Sequence, residues 1–75
     1  MIDYDFPRIV RAKIKSYRAH AFAAGLADGE DAATARRSAD LVCRSHWREM
    51  VRKAEERKHI NARTLRRILE QEGQI

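Results

Sequence analysis

The 75-residue chain predicts an all-α fold, an antiparallel hairpin of two long helices followed by a short C-terminal third helix. Three observations lead there. Positions 31 to 57 contain no Gly and no Pro, and their apolar side chains recur at helical spacing. Positions 7 to 26 repeat that spacing. The short acidic stretch Asp28-Gly29-Glu30-Asp31 between them is too brief for anything but a reversal.

The first helix is expected from Pro7 to Leu26, after an acidic lead-in from Met1 to Asp5. Asp5 is a candidate N-cap, and Pro7 fits the first turn because its missing N–H has no intrahelical partner there. Phe6, Val10, Ile14, Tyr17, Ala21 and Ala24 form one face. Arg8, Arg11, Lys15 and Arg18 form a basic stripe behind it. Gly29 offers a left-handed stop, and Asp28 is expected to cap the next helix.

The second helix, Asp31 to Arg57, organises the chain. Ala32, Ala35, Ala39, Val42, His46, Met50 and Ala54 follow one another at steps of three and four. Leu41, Cys43, Trp47 and Val51 widen that face. The far side carries Arg36, Asp40, Arg44, Arg48, Arg52 and Glu56 at steps of four. Lys58-His59-Ile60 breaks the pattern. Asn61 then reads as an N-cap for a third helix from Ala62 to Glu72, with Ala62, Leu65, Ile68 and Leu69 on its apolar side and Gly73 ending it.

Seventy-five residues make one small domain, spanning positions 1–75, with a limited core. Cys43 is the only cysteine, so an intrachain disulfide is excluded and a reducing compartment is favoured. No secretory or membrane-spanning apolar run is present, and a soluble cytoplasmic protein is expected. The alanine-rich stripes on both long helices exceed what one short helix can cover, which favours a homodimer.

The net charge of +5 is unevenly placed. From Arg36 to Arg67, eleven Lys and Arg face Asp40, Glu49, Glu55 and Glu56, a local charge of +7. Such density favours a polyanion or an acidic protein surface. The bland reading is a solvated face with internal pairs such as Arg36–Asp40 and Arg52–Glu56. The candidate binding residues are Arg36, Arg37, Arg44, Arg48 and Arg52 on the second helix, with Arg63, Arg66 and Arg67 on the third. Arginine's planar fork suits phosphate and carboxylate alike.

Cys43 and His46 have a Cys-x2-His spacing. A structural zinc needs four ligands, and His20 and His59 are the only further histidines, so packing roles are expected and no metal or cofactor. There is no glycine-rich phosphate loop, no carboxylate dyad and no oriented nucleophile, and no enzyme is expected. Trp47 is either a core anchor against Phe22 and Tyr17 or a stacking platform for a base. The burial tendency of tryptophan favours the core.

The segment Ala21-Phe22-Ala23-Ala24-Gly25-Leu26-Ala27-Asp28-Gly29, followed by Trp47-Arg48-Glu49-Met50, resembles the ribosome modulation factor family. That family has an aromatic residue, a spacer, Ala-Gly, an aliphatic residue and a second glycine, and then Trp-Arg-Glu-Ala on its second helix. The resemblance covers about Tyr17 to Arg52. It implies a small basic helical protein that binds ribosomal RNA and promotes inactive ribosome pairs, with Trp47, Arg48 and nearby arginines at the RNA. Ala21 and His46 stand where the family usually has glycine, and the third helix has no counterpart in its short members. Two other readings remain open at this stage. One is a phage-type inhibitor or adaptor that binds a host protein. The other is a DNA-binding regulator that presents Arg63, Arg66 and Arg67 on a recognition helix, although the second helix is long for a helix-turn-helix.

Overall fold

The computed structural model describes residues 5–75, so of the acidic lead-in expected from Met1 to Asp5 only Asp5 falls within it. The described residues form α1 (Phe6–Ala27), α2 (Ala32–Glu56) and α3 (Ala62–Gln71), and they contain no strand. All-α architecture with two long helices packed as a hairpin and a short third helix is therefore the fold. Each boundary lies within one residue of the sequence expectation.

The helix stops share one device. At the end of α1 the Gly29 N–H donates to the Leu26 carbonyl and the Glu30 N–H to the Gly25 carbonyl, with Gly29 at φ 91°. This is a Schellman closure, in which a left-handed residue turns the chain back onto the last turn. At the end of α3, Gly73 at φ 71° donates to Glu70, and Gln74 donates to Leu69. At the end of α2 the same pair of bonds runs from Lys58 to Glu55 and from His59 to Ala54, but the left-handed residue is Lys58 at φ 53°. A side chain at that position carries a steric cost that glycine avoids.

The caps at the helix starts differ from the sequence expectation. Asp31 caps α2, its Oδ1 accepting from the Thr34 N–H at 2.7 Å. Asp28, expected in that role, is instead the last residue before the left-handed Gly29, where its N–H donates to the Ala24 carbonyl. Gly29 must sit at the C-terminal closure of α1, which moves the cap of α2 from Asp28 to Asp31. Neither Asp5 nor Asn61 makes a side-chain cap bond. The Asn61 N–H donates to His59 Nδ1 at 3.1 Å, so His59 satisfies the chain just before α3.

The buried face of α2 is Ala35, Ala39, Cys43, Trp47 and Val51, a row at constant steps of four. Expected face members Val42 and Met50 are 48% and 43% exposed, and Leu41 is 68% exposed. A row at steps of four runs obliquely to the helix axis, so a helix packed along it crosses α2 at an angle. Steps alternating three and four would follow the axis more closely.

Size grades along the same row. Beside the turn stand Ala35 and Ala39, and towards the open end stand Cys43, Trp47 and Val51. On α1, Gly25 is buried against Ala35, and a Cβ built on it would lie 3.0 Å from Ala35 Cβ and 3.3 Å from Ala35 Cα. The helices therefore touch backbone to backbone at the turn and part towards the other end. There Val10 and Ile14 of α1 meet Cys43, Trp47 and Val51, and Leu65, Ile68 and Leu69 of α3 complete the cluster. Cys43 is fully buried, and its Sγ donates to the Ile14 carbonyl at 3.8 Å. Phe6, Tyr17, Ala54 and Ile75 pack around this core. Ion pairs tie the periphery, Arg11 to Glu72 between α1 and α3 at 2.9 Å, and Arg18 to Asp40 between α1 and α2 at 3.4 Å.

Two glycine substitutions should act in opposite directions. Gly25→Val overpacks the contact with Ala35 and should lower stability by about 1–3 kcal/mol. Lys58→Gly relieves the left-handed side chain and should raise it by about 0.5–1 kcal/mol. Urea denaturation followed by circular dichroism reads both. A Gly25→Val protein as stable as the wild type would mean that the turn does not hold the helices together.

Candidate nucleic-acid interface

A row at steps of four fixes what lies beside it. One residue after each buried position comes Arg36, Asp40, Arg44, Arg48 and Arg52; one residue before comes Ser38, Val42, His46 and Met50. At about 100° per residue these rows stand on opposite flanks of the contact with α1. One long flank of the hairpin is basic, and the other is nearly uncharged.

On the basic flank, Arg36 stands over the Phe22 ring at 5.9 Å and Asp40 pairs with Arg18. The expected Arg36–Asp40 pair is thus replaced by contacts of both residues to α1. Lys15, Arg18, Ala19 and Phe22 of α1 and Arg36, Ala39 and Asp40 of α2 line a shallow depression between the helices. Arg44 and Arg48 continue the row, exposed and about 6 Å apart along the axis. Arg37 is exposed on the next row. Arg37, Arg44, Arg48 and Lys15 have no acidic partner within 4 Å among the described residues.

Two of the eight candidate arginines differ in kind. Arg52 is held between Glu49, through a bidentate contact of 2.5 and 3.0 Å, and Glu56 at 2.9 Å. Arg66 reaches back from α3 to Glu55 with bonds of 2.5 and 2.7 Å. These guanidiniums are already neutralised by forked hydrogen bonds. The Arg52 and Arg66 contacts in turn hold the Glu49 and Glu55 carboxyls below their ordinary value of 4.5. Arg63 and Arg67 are exposed on α3, on the side away from Leu65, Ile68 and Leu69. The expected single ridge Arg44–Arg48–Arg52 is therefore open at its first two members and closed at the third.

Trp47 belongs to the core at 5% exposure. Its expected neighbours are rearranged. Tyr17 stacks on His46, with centroids 4.2 Å apart and planes 10° apart, and His46 meets Trp47 edge-on at 5.1 Å. Phe22 lies towards the turn, beneath Arg36. Among the described residues the Trp47 Nε1 is buried without a hydrogen-bond partner, a cost offset by the apolar area the ring buries. Cys43 and His46 point to different neighbours, the Ile14 carbonyl and the Tyr17 ring. Among the described residues no three His, Cys, Asp or Glu side chains gather in metal-binding geometry. Burial pushes the Cys43 thiol above its ordinary value.

Trp47 should report burial directly. Its emission should be blue-shifted in the folded protein and should move little when a ligand occupies the basic flank. Trp47→Ala should cost about 3–5 kcal/mol. A red-shifted, freely quenched emission from folded protein would move Trp47 to the surface.

Acid should loosen the fold through its lowered carboxyls. The Thr34 N–H holds Asp31 below its ordinary 3.8, and Glu49 and Glu55 are lowered from 4.5. Groups whose folded pKa is depressed add stability above the unfolded value, and that stability fades as pH falls through the folded value. The thermal midpoint should therefore fall below about pH 4.5. The combined Asp31→Asn, Glu49→Gln, Glu55→Gln protein should show a shallower fall, and an unchanged profile would mean that these contacts are absent in solution.

Comparison with protein families, with curated proteins and with solved structures finds no match to this chain.

Proposed function

We propose that this is a non-catalytic RNA-binding protein whose contact surface is the basic flank of the hairpin. The observation that carries the reading is the open row of Arg44 and Arg48, extended by Arg36, Arg37 and Lys15, on a flank whose carboxylates, Asp40 and Glu56, are already paired with Arg18 and Arg52. Guanidiniums fixed along a rigid helix and free of internal partners suit phosphates spaced along a strand. The resemblance of Phe22 to Gly29 and Trp47 to Met50 to the ribosome modulation factor family supports ribosomal RNA as the target class. Buried Trp47 then contributes by holding Arg44 and Arg48 in place and does not stack on a base. The DNA reading is weaker, because Arg66 is clamped to Glu55 and α2 is 25 residues long.

Salt tests the proposal. Five phosphate contacts predict a slope of about −4 in log affinity against log salt, so about two orders of magnitude are lost between about 50 and 200 mM. Replacing Arg37, Arg44 and Arg48 by Ala should reduce that slope by about 2–3, whereas Arg52→Ala should leave it unchanged. Glu49→Gln with Glu56→Gln releases Arg52 and should steepen it by about 1. Full affinity and full slope in the triple variant would refute the RNA reading. Wild-type protein that ignores RNA, together with loss of a protein partner in the triple variant, would assign the flank to an acidic protein surface.

A further inference from the structure

The uncharged flank of the hairpin is the remaining long surface without an assignment. Tyr17, Val42, His46 and Met50 run along it. Val42 is 48% exposed, Met50 43%, and the neighbouring Leu41 68%. A groove of about 470 Å³ opens on the same flank between α1 and α2, with Ile9, Tyr17, His46 and Met50 in its wall. We propose that this flank is a two-fold interface that binds a second copy of the chain.

Two features favour a second copy over a foreign partner. The first is charge. In a protein of net charge +5, the row Ser38, Val42, His46, Met50 carries no arginine; Lys13 on α1 lines the groove, and Glu49, already paired with Arg52, lines the depression beside Leu41 and Val42. Two copies meet here without the like-charge contact that the arginine flank would impose, while a strongly acidic partner finds little to pair with. The second is shape. The flank carries both a projection and a recess. Leu41 and Val42 project on the turn side of His46, and the groove beside Ile9 and Met50 lies on the other side. A two-fold axis passing by Ser45 and His46 sets each copy's Val42 towards its partner's groove, with the two α2 helices antiparallel. Self-complementary patches related in this way close as a dimer and do not propagate. Arg36, Arg44 and Arg48 stand on the opposite flank and stay open in such a dimer, while Arg37 lies on the outer row with Leu41 and Ser45.

The alanine-rich stripes expected from the sequence to drive association are a different surface. Ala35 and Ala39 are buried inside the hairpin.

Sedimentation equilibrium at about 100 µM tests the proposal, a concentration well above ordinary specific affinities. The wild type should show twice the 8.7 kDa chain mass. Val42→Glu and, separately, Leu41→Lys should give the monomer mass with unchanged helical circular dichroism, since both positions are exposed. Ser45→Cys should form an intermolecular disulfide under mild oxidation, because a residue on the axis meets its own copy, whereas Lys53→Cys should not. A monomeric wild type overturns the proposal, and if it binds an apolar dye that Val42→Glu abolishes, the flank belongs to a foreign partner. A wild-type dimer that persists in both variants, or that forms the Lys53→Cys bridge and not the Ser45→Cys one, places the interface elsewhere. The RNA salt slope of the Val42→Glu monomer, measured per chain, should match the wild type, so failure of the dimer and failure of the RNA reading are separable.

Discussion

The constant four-residue spacing of Ala35, Ala39, Cys43, Trp47 and Val51 is the constraint from which the rest follows. A helix completes a turn in 3.6 residues, so a row at steps of four advances by about 40° each time and winds around the cylinder. A partner that stays in contact with it must cross obliquely. Small residues at one end of the row and large ones at the other turn that crossing into a wedge, tight at Gly25 and Ala35 and open at Val10 and Val51. The open end is what α3 fills. Its role is packing, with Leu65, Ile68 and Leu69 buried on the hairpin and the Arg11–Glu72 and Glu55–Arg66 pairs at its edges. Exposed ion pairs of this kind add little stability on their own, so the apolar wedge carries the association.

Much of this is legible in the sequence, because helix existence depends on local signals. The Gly- and Pro-free run from 31 to 57, the matching apolar spacing of 7 to 26, the Asp-Gly turn and the glycines past each of two helix ends give the three elements within one residue. The caps were less legible. Asp28 is the cap expected from the sequence, and Asp31, three residues on, offers the same side chain. The choice between them depends on Gly29, whose left-handed φ closes α1 and leaves Asp31 with the Thr34 N–H. The break in the apolar pattern at Lys58 to Ile60 marks where α2 stops, but nothing in the sequence marks Lys58 as the turn residue, because lysine has no preference for the left-handed conformation that it adopts there.

The buried face was half legible for a related reason. Apolar residues occupy both the row through Cys43 and Trp47 and the row through Val42 and Met50, so periodicity alone allows a stripe that drifts between them. Burial selects the first because only it places small residues opposite Gly25 while bringing Trp47 to the wide end. Knowing that required α1 as well as α2. Likewise the charge run from Arg36 to Arg67 was plain, but not which arginines are spent internally. Glu49 and Glu56 stand three residues before and four after Arg52, spacings that a helix brings within reach, and that signal was present in the sequence. Glu55 and Arg66 lie on different helices, and their pairing depends on the turn at Lys58.

The two flanks are thus consequences of one spacing. Whatever residue type stands one place after each core position lines one side of the hairpin, and whatever stands one place before lines the other. In α2 the following residues are Arg, Asp, Arg, Arg and Arg, and four of the preceding ones are Ser, Val, His and Met. A polyanion and an apolar surface can therefore be met at once by opposite sides of a helix pair only 17 Å across in its thinnest dimension. The buried Trp47 links the two sides. Its ring touches His46 on the apolar flank, while the next residue in the chain, Arg48, stands on the basic one. A change in the packing of that one ring would move both surfaces. For this reason a tryptophan that makes no outward contact can still govern what the protein binds.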